Sequence, residues 1–241
     1  MPNVNRKLSI KIVYSVLVLF LGIFLGVFSK WLDNMAIDGT IWKQYLLETL
    51  DLGNVFSELP IWFLIALAIS VYSASSIRAG LNVFLFFMGM CTSYHWYSIV
   101  FSGFNPQRYM MIWYGLTLFS PILAYICWYR KGKTIHSLII DILILTIMLK
   151  YCFHIGIWYF SFHSVIDTLI FIVSIIILYY RPKYTLISLL GAIVMAVGVN
   201  FFIVYLLNKN IDCYFVRDLF LCDCRLNGNG KMKWPSITFN C

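Results

Sequence analysis

The chain has 241 residues, 61% of them hydrophobic and 12% charged, with a formal net charge of +8 and a mean hydropathy of +0.84. A soluble domain is roughly a quarter charged, so this chain has too few charges to cover a water-facing surface and belongs in a bilayer. Its basic residues lie in short blocks between apolar runs, as in membrane-protein loops; no DNA- or RNA-binding motif occurs, and no nucleic-acid partner is expected.

In chain order, seven stretches have the length of a spanning helix, about 17–25 residues. The first, residues 8–28, follows a basic start. A cleaved signal peptide has a shorter apolar core and a small-x-small cleavage site, so this stretch reads as an uncleaved first helix. Gly22 and Gly26 form a GxxxG pattern on it, which favours close approach of another helix.

The next segment, "TIWKQYLLETLDLGNVF", is amphipathic on a 100° wheel. Ile41, Trp42, Tyr45, Leu46, Leu50 and Phe56 share one half, and Lys43, Gln44, Glu48, Asp51 and Asn54 the other. An interfacial helix over 39–57 is expected, acting as a lid or anchor. The further spans are 60–76, 79–101, 108–129 (carrying Pro121), 134–153, 163–180 and 184–207. Ala192 and Ala196 give the last span a small-xxx-small pattern.

The expected fold class is thus all-α, a polytopic helix bundle over 1–207, followed by a polar tail over 208–241. The tail holds four of the seven cysteines, Cys213, Cys222, Cys224 and Cys241. Their disulfide connectivity is not deducible. Cys222-Asp-Cys224 has one intervening residue, which is not a zinc half-site spacing.

Basic residues set the expected orientation. With the N-terminus inside, inner segments hold nine (Arg6, Lys7, Lys11, Arg78, Arg130, Lys131, Lys133, Arg181, Lys183) and outer connections four (Lys30, Lys43, Arg108, Lys150). The first outer connection also holds Asp33, Asp38, Glu48, Asp51 and Glu58, five of the ten acids. The expectation is a multi-pass protein of the cell membrane with its N-terminus inside and C-terminus outside.

Ionisable residues within a span are functional candidates by default. "HSLIIDILILTIMLKYCFH" carries Asp141 at inner depth and Lys150 near the outer end. At 100° per residue the two point to opposite faces. Lys150 and His154 share a face at i,i+4; His163 and Asp167 head the sixth span from the same outer side, and His95 lies at a similar depth. Two readings stand for this group. One is an outer pocket that binds a solute or relays a proton. The other, which weighs more, is a Lys150–Asp167 pair that fixes the hairpin.

Asp141 reads either as a helix-packing residue held by a hydrogen bond, which weighs more, or as a buried functional charge; its expected neutralisers are Arg78, the basic loops holding Arg130, Lys131 and Lys133 or Arg181 and Lys183, or protonation. Asn82, Gly89 and Ser93 share a face of the third span, for interhelix hydrogen bonding or a cavity lining. No nucleophile elbow, Walker loop or HExxH occurs, and Cys91 with His95 lacks an orienting acid in sequence. The chain is expected to be no enzyme, with no cofactor and no metal. The function read from these residues is small-solute binding or transport, or the membrane subunit of a transporter. The alternative is a non-catalytic membrane interaction protein that uses its helix-packing faces and the acidic outer helix, with another membrane protein or a second copy as partner besides the lipid bilayer.

The stretch "LAISVYSASSIRAGLNVFLFFMGMCTSYHWY", with "LGVFSKWLD" and "LLETLDLGN" before it and "LTLFSPILAYICWYRKGK" after it, carries a resemblance. Over about residues 21–180 the chain resembles a family of small polytopic bacterial membrane proteins, mostly Gram-positive, with no assigned activity. The resemblance implies a bacterial cytoplasmic membrane and carries over no functional residue.

Overall fold

The computed structural model of the chain describes residues 2–35, 41, 45, 47, 50–103, 105–131, 135–155, 160–162, 164–208, 225–226 and 232–233. In chain order these form α1 (Pro2–Asp33), α2 (Leu52–Ser57), α3 (Leu59–Tyr72), α4 (Ser76–Ser102) and α5 (Gln107–Trp128). A single 3-10 turn, Tyr129–Lys131, leads to α6 (Ile135–Cys152), the strands β1 (Phe153–Ile155) and β2 (Phe160–Phe162), α7 (Val165–Leu178) and α8 (Pro182–Asn208). A further antiparallel pair, β3 (Arg225–Leu226) and β4 (Met232–Lys233), lies in the tail.

Among the described residues, five helices are long and apolar enough to cross a membrane: α1, α4, α5, α6 and α8. The molecule is a membrane protein built as an all-helical bundle, as expected; among the described residues two short antiparallel strand pairs, β1–β2 and β3–β4, lie outside the helices. The spans expected over 60–76 and 163–180 fold as apolar helices of 14 residues each, α3 and α7. Both are cut short by local chemistry. After Tyr72 the chain turns extended at Ser73, and the Ser75 hydroxyl caps the next helix by accepting from the Arg78 amide. After Leu178 the chain turns extended at Tyr179, and Arg181 precedes Pro182, a position that disfavours helix.

Lipid gives apolar helices little hydrophobic reason to associate, so small residues and hydrogen bonds decide the contacts. α1 and α4 run parallel in the most intimate crossing of the bundle. A side chain at Gly22 would strike the Phe86 carbonyl oxygen, and one at Gly26 the Met90 carbonyl oxygen and Ser93. From the other side, a Cβ at Gly89 would lie 2.7 Å from the Leu19 carbonyl oxygen. The GxxxG pattern is thus used within the chain.

α5 returns antiparallel along α4. Pro121 cannot donate to the carbonyl of Thr117, four residues back; the Ser120 hydroxyl donates to it at 2.8 Å instead. Gly80 leaves room for the Pro121 carbonyl, 3.0 Å from where a Cβ would stand. The second set of helices repeats the parallel arrangement. α6 packs along α8, with Gly191 against Ile142 and the Thr146 hydroxyl 3.5 Å from the Ala192 carbonyl oxygen. Ala192 and Ala196 are fully buried.

α3 is buried on two sides and joins the sets. Trp62 and Ile69 enter a core with Val83, Phe86 and Met90 of α4. Leu64, Leu67 and Val71 enter a core with Leu145 and Met148 of α6 and Ile170 and Phe171 of α7. One end of the bundle holds Asp33, Ser57, Ser102 and Cys152 and is called the Asp33 end. The other holds Ser73, Arg130, Asp141 and Ile177 and is called the Arg130 end. Of the expected interfacial helix over 39–57, only 41, 45, 47 and 50–57 are described; Cys213, Cys222, Cys224 and Cys241 lie outside the described residues.

Candidate functional site

The charged centre of the bundle is an ion pair at the Arg130 end. Arg130, on the turn after α5, donates from Nε to Asp141 Oδ1 at 2.9 Å and from Nη1 to the Ile177 carbonyl oxygen at 3.1 Å. One guanidinium therefore holds three elements: the end of α5, the second turn of α6 and the last turn of α7. The Ile177 carbonyl belongs to a helix C-terminus, whose unpaired carbonyls and negative dipole end favour a cation. The side chains of Arg130 and Asp141 are 9% and 15% exposed. Nη2 is buried and makes no hydrogen bond among the described residues. Of the neutralisers expected for Asp141, the structure places Arg130 against it.

Two residues before Arg130, the Trp128 indole donates to the Ser73 carbonyl oxygen at 3.0 Å. Ser73 is the first residue of the link between α3 and α4. Its hydroxyl accepts from Asn82 Nδ2 at 3.2 Å, and Asn82 Oδ1 accepts from Ser15 of α1 at 2.7 Å. Asn82 is 2% exposed, so this chain of bonds stitches α1, α3 and α4 together. Asn82 serves helix packing. Ser93 follows suit, its hydroxyl donating to the Met90 carbonyl oxygen at 3.1 Å beside Gly26.

The other expected group divides. Lys150 donates to Asn200 Oδ1 of α8, tying α6 to α8. Asp167 is fully buried in the first turn of α7, where the dipole favours an acid, next to the Ser164 cap. His154 lies on β1 opposite Ser161, and β1 pairs with β2 from Phe153↔Phe162 to Ile155↔Phe160. The His154 side chain and His163 lie outside the described residues. His95 belongs elsewhere: its Nδ1 meets the Tyr114 hydroxyl and its Nε2 meets Asn105 Oδ1, both at 3.0 Å, which closes the α4–α5 hairpin. No three His, Cys, Asp or Glu side chains among the described residues come together as a metal set.

A second polar group at the Asp33 end was not expected. Asp33 accepts from the Tyr94 hydroxyl at 2.8 Å and the Ser57 hydroxyl at 3.2 Å, with Lys30 Nζ 3.6 Å away and over the Tyr94 ring. Beside it, Phe56, Trp62, Met90, Tyr94, Tyr109 and Trp113 line a recess with room for about one water. The acid cluster of the first connection marked the region, but the spacing of Asp33 and Tyr94, 61 residues, carries no signal. Asn200 and Ser15 were visible as isolated polar residues in apolar runs.

Comparison with known proteins gives no matching family model, no similar curated protein and no similar solved structure.

Proposed function

We propose that this protein is a non-enzymatic, small-solute binding or transport protein of the bacterial cytoplasmic membrane, acting by itself or as the membrane subunit of a transporter. The observation that carries the reading is the Arg130–Asp141 pair. A buried ion pair stabilises a bundle no better than apolar side chains of similar volume. Two buried charges cost more than the neutral hydrogen bonds that link other helices of the bundle, such as Ser15–Asn82 and Asn82–Ser73. A site that binds a polar solute or follows a proton does account for them.

The chain crosses the membrane seven times in this reading, with its N-terminus inside and its C-terminus outside. α3 at 14 residues is about 21 Å long, less than the roughly 30 Å of hydrocarbon. Its flanking residues nevertheless reach both ends of the bundle: Ser57 bonds Asp33, and Ser73 bonds Asn82. α7 runs between the same two ends: Phe171 packs on the Phe153 ring beside Cys152, and the Ile177 carbonyl accepts from Arg130. With both crossing, Arg78, Arg130, Lys131, Lys133, Arg181 and Lys183 fall on the side of Arg6 and Lys7, as the positive-inside rule favours. The competing reading, an interaction protein, rests on the acidic outer helix over 39–57 as well as on its helix-packing faces, of which Gly22 and Gly26 pack on α4 and Ala192 meets α6 of the same chain.

The test is thermal unfolding of the detergent-purified protein against amino acids, sugars, nucleosides and monovalent and divalent cations. A solute that raises Tm in the wild type and not in Asp141→Asn supports the reading. No shift from any solute, with a membrane protein co-purifying at fixed ratio, supports the interaction reading instead. Topology is tested by labelling intact cells with an impermeant maleimide: Cys222 modified only after lysis would overturn the outside C-terminus.

A further inference from the structure

The recess at the Asp33 end is built from residues four apart on neighbouring helices, a spacing that puts them on one face. Ser29 and Asp33 lie on α1, Met90 and Tyr94 on α4, and Tyr109 and Trp113 on α5. Phe56 of α2 and Trp62 of α3 complete the wall. Five of its rings touch in unbroken succession: Phe56–Trp62 at 5.9 Å between centroids, Trp62–Trp113 at 6.4 Å, Trp113–Tyr109 at 6.1 Å and Tyr109–Tyr94 at 6.1 Å. Ser29 and Trp62 are buried and form the floor, whereas Tyr109 is exposed and stands at the rim.

The face of an aromatic ring is negative, so a wall of rings attracts a cation and repels an anion. The chain already places an ammonium group here. Lys30 Nζ stands 5.4 Å from the centroid of the Tyr94 ring and 3.6 Å from Asp33 Oδ2. The Tyr94 hydroxyl donates to the same Oδ2 at 2.8 Å. A phenol that donates to a carboxylate gains electron density in its ring, which strengthens its pull on a cation. The side chains of Lys30 and Asp33 are 14% and 19% exposed, so water and salt screen these charges little. The Ser29 hydroxyl spends its proton on the Phe56 carbonyl oxygen at 3.3 Å, which leaves its lone pairs as an acceptor in the floor.

Size and lining narrow the ligand. The recess has room for about one water. A divalent ion such as calcium takes about six to eight oxygens, far more than one rim carboxylate and the hydroxyls of Ser29, Tyr94 and Tyr109 supply. An alkali ion also needs oxygens on all sides. An ammonium ion is the size of a water molecule, can donate to a few acceptors and can rest its other hydrogens on ring faces.

We propose that this recess is a binding site for a water-sized ammonium ion, held by the rings of Trp62, Tyr94, Tyr109 and Trp113 and by the Ser29 hydroxyl, and that Lys30 is its internal competitor for Asp33 and Tyr94. The flexible stem of Lys30 lets its charge move out toward the headgroups. Its departure leaves the Asp33 carboxylate to balance the incoming ion. The site stands at the opposite end of the bundle from the Arg130–Asp141 pair and does not rest on solute binding there.

The test is the tryptophan fluorescence of the full chain in lipid nanodiscs, titrated with ammonium, potassium and sodium chloride at constant ionic strength. Trp62 and Trp113 border the site, so ammonium is expected to give a saturable change that potassium and sodium do not. Lys30→Met is expected to lower the half-saturating ammonium concentration about tenfold, and Asp33→Asn to raise it about tenfold. A potassium or sodium response as strong as that to ammonium would overturn the proposal, and so would an unchanged midpoint in both variants. Each variant moves the midpoint in its own direction, so one suffices if the other does not fold. A response lost in Asp141→Asn and kept in Asp33→Asn would place the ion at the Arg130 end and overturn this site.

Discussion

Removal of either member of the Arg130–Asp141 pair is expected to destabilise the bundle by about 3–5 kcal/mol. The charges meet at 2.9 Å with side chains 9% and 15% exposed. At an effective dielectric of about 20 their attraction is about 6 kcal/mol, most of it offset by the desolvation needed to bury them. Asp141→Leu removes the attraction and leaves the desolvation of Arg130, with the Ile177 carbonyl as its remaining acceptor among the described residues. The double variant Arg130→Met/Asp141→Leu removes both charges and fills the space with apolar atoms. It is expected to be more stable than either single variant, within about 1–3 kcal/mol of the wild type, the residual being the lost bond to Ile177. Reversible unfolding in bicelles, run as a double-mutant cycle, reads these numbers. Single costs under about 1 kcal/mol, or a double cost equal to their sum, would refute the argument that the pair is desolvated and coupled.

Gly22→Ala is expected to cost about 1–3 kcal/mol, because the new methyl meets backbone of α4 that has no rotamer to yield. Gly115→Ala on α5, where a Cβ meets nothing within 4 Å, is expected to be neutral or stabilising by up to about 1 kcal/mol; the two measured side by side separate packing from helix propensity. Asn82→Leu breaks the Ser15–Asn82–Ser73 chain and is expected to cost about 1–2 kcal/mol, read in the same unfolding assay. His95→Phe removes two bonds that close the α4–α5 hairpin. Amide exchange is expected to accelerate at Gly103, Asn105 and Gln107 and to stay unchanged in α6 and α7, and acceleration in α6 would contradict the placement of His95 away from that helix.

Composition and periodicity were enough to identify a membrane helix bundle, because hydrocarbon demands long apolar runs and the backbone must satisfy itself within them. The positions of the apolar helices α1 and α3 to α8 were legible for the same reason, to within about four residues, except α1, which extends five or six residues beyond the expected 8–28 at each end. Gly22 and Gly26 announced a close approach and Asp141 an expense, since each is costly unless something answers it. What answers was decided by tertiary structure. Arg130 was one of several eligible cations, and only folding of the turn after α5 brings its fork to Asp141 and to the Ile177 carbonyl together. Lys150 could be assigned a face from spacing but not Asn200, 50 residues away, as the group it donates to. Local chemistry fixes where a helix starts and stops, whereas the choice of neighbour depends on complementary volume across the contact, which exists only once both helices are in place.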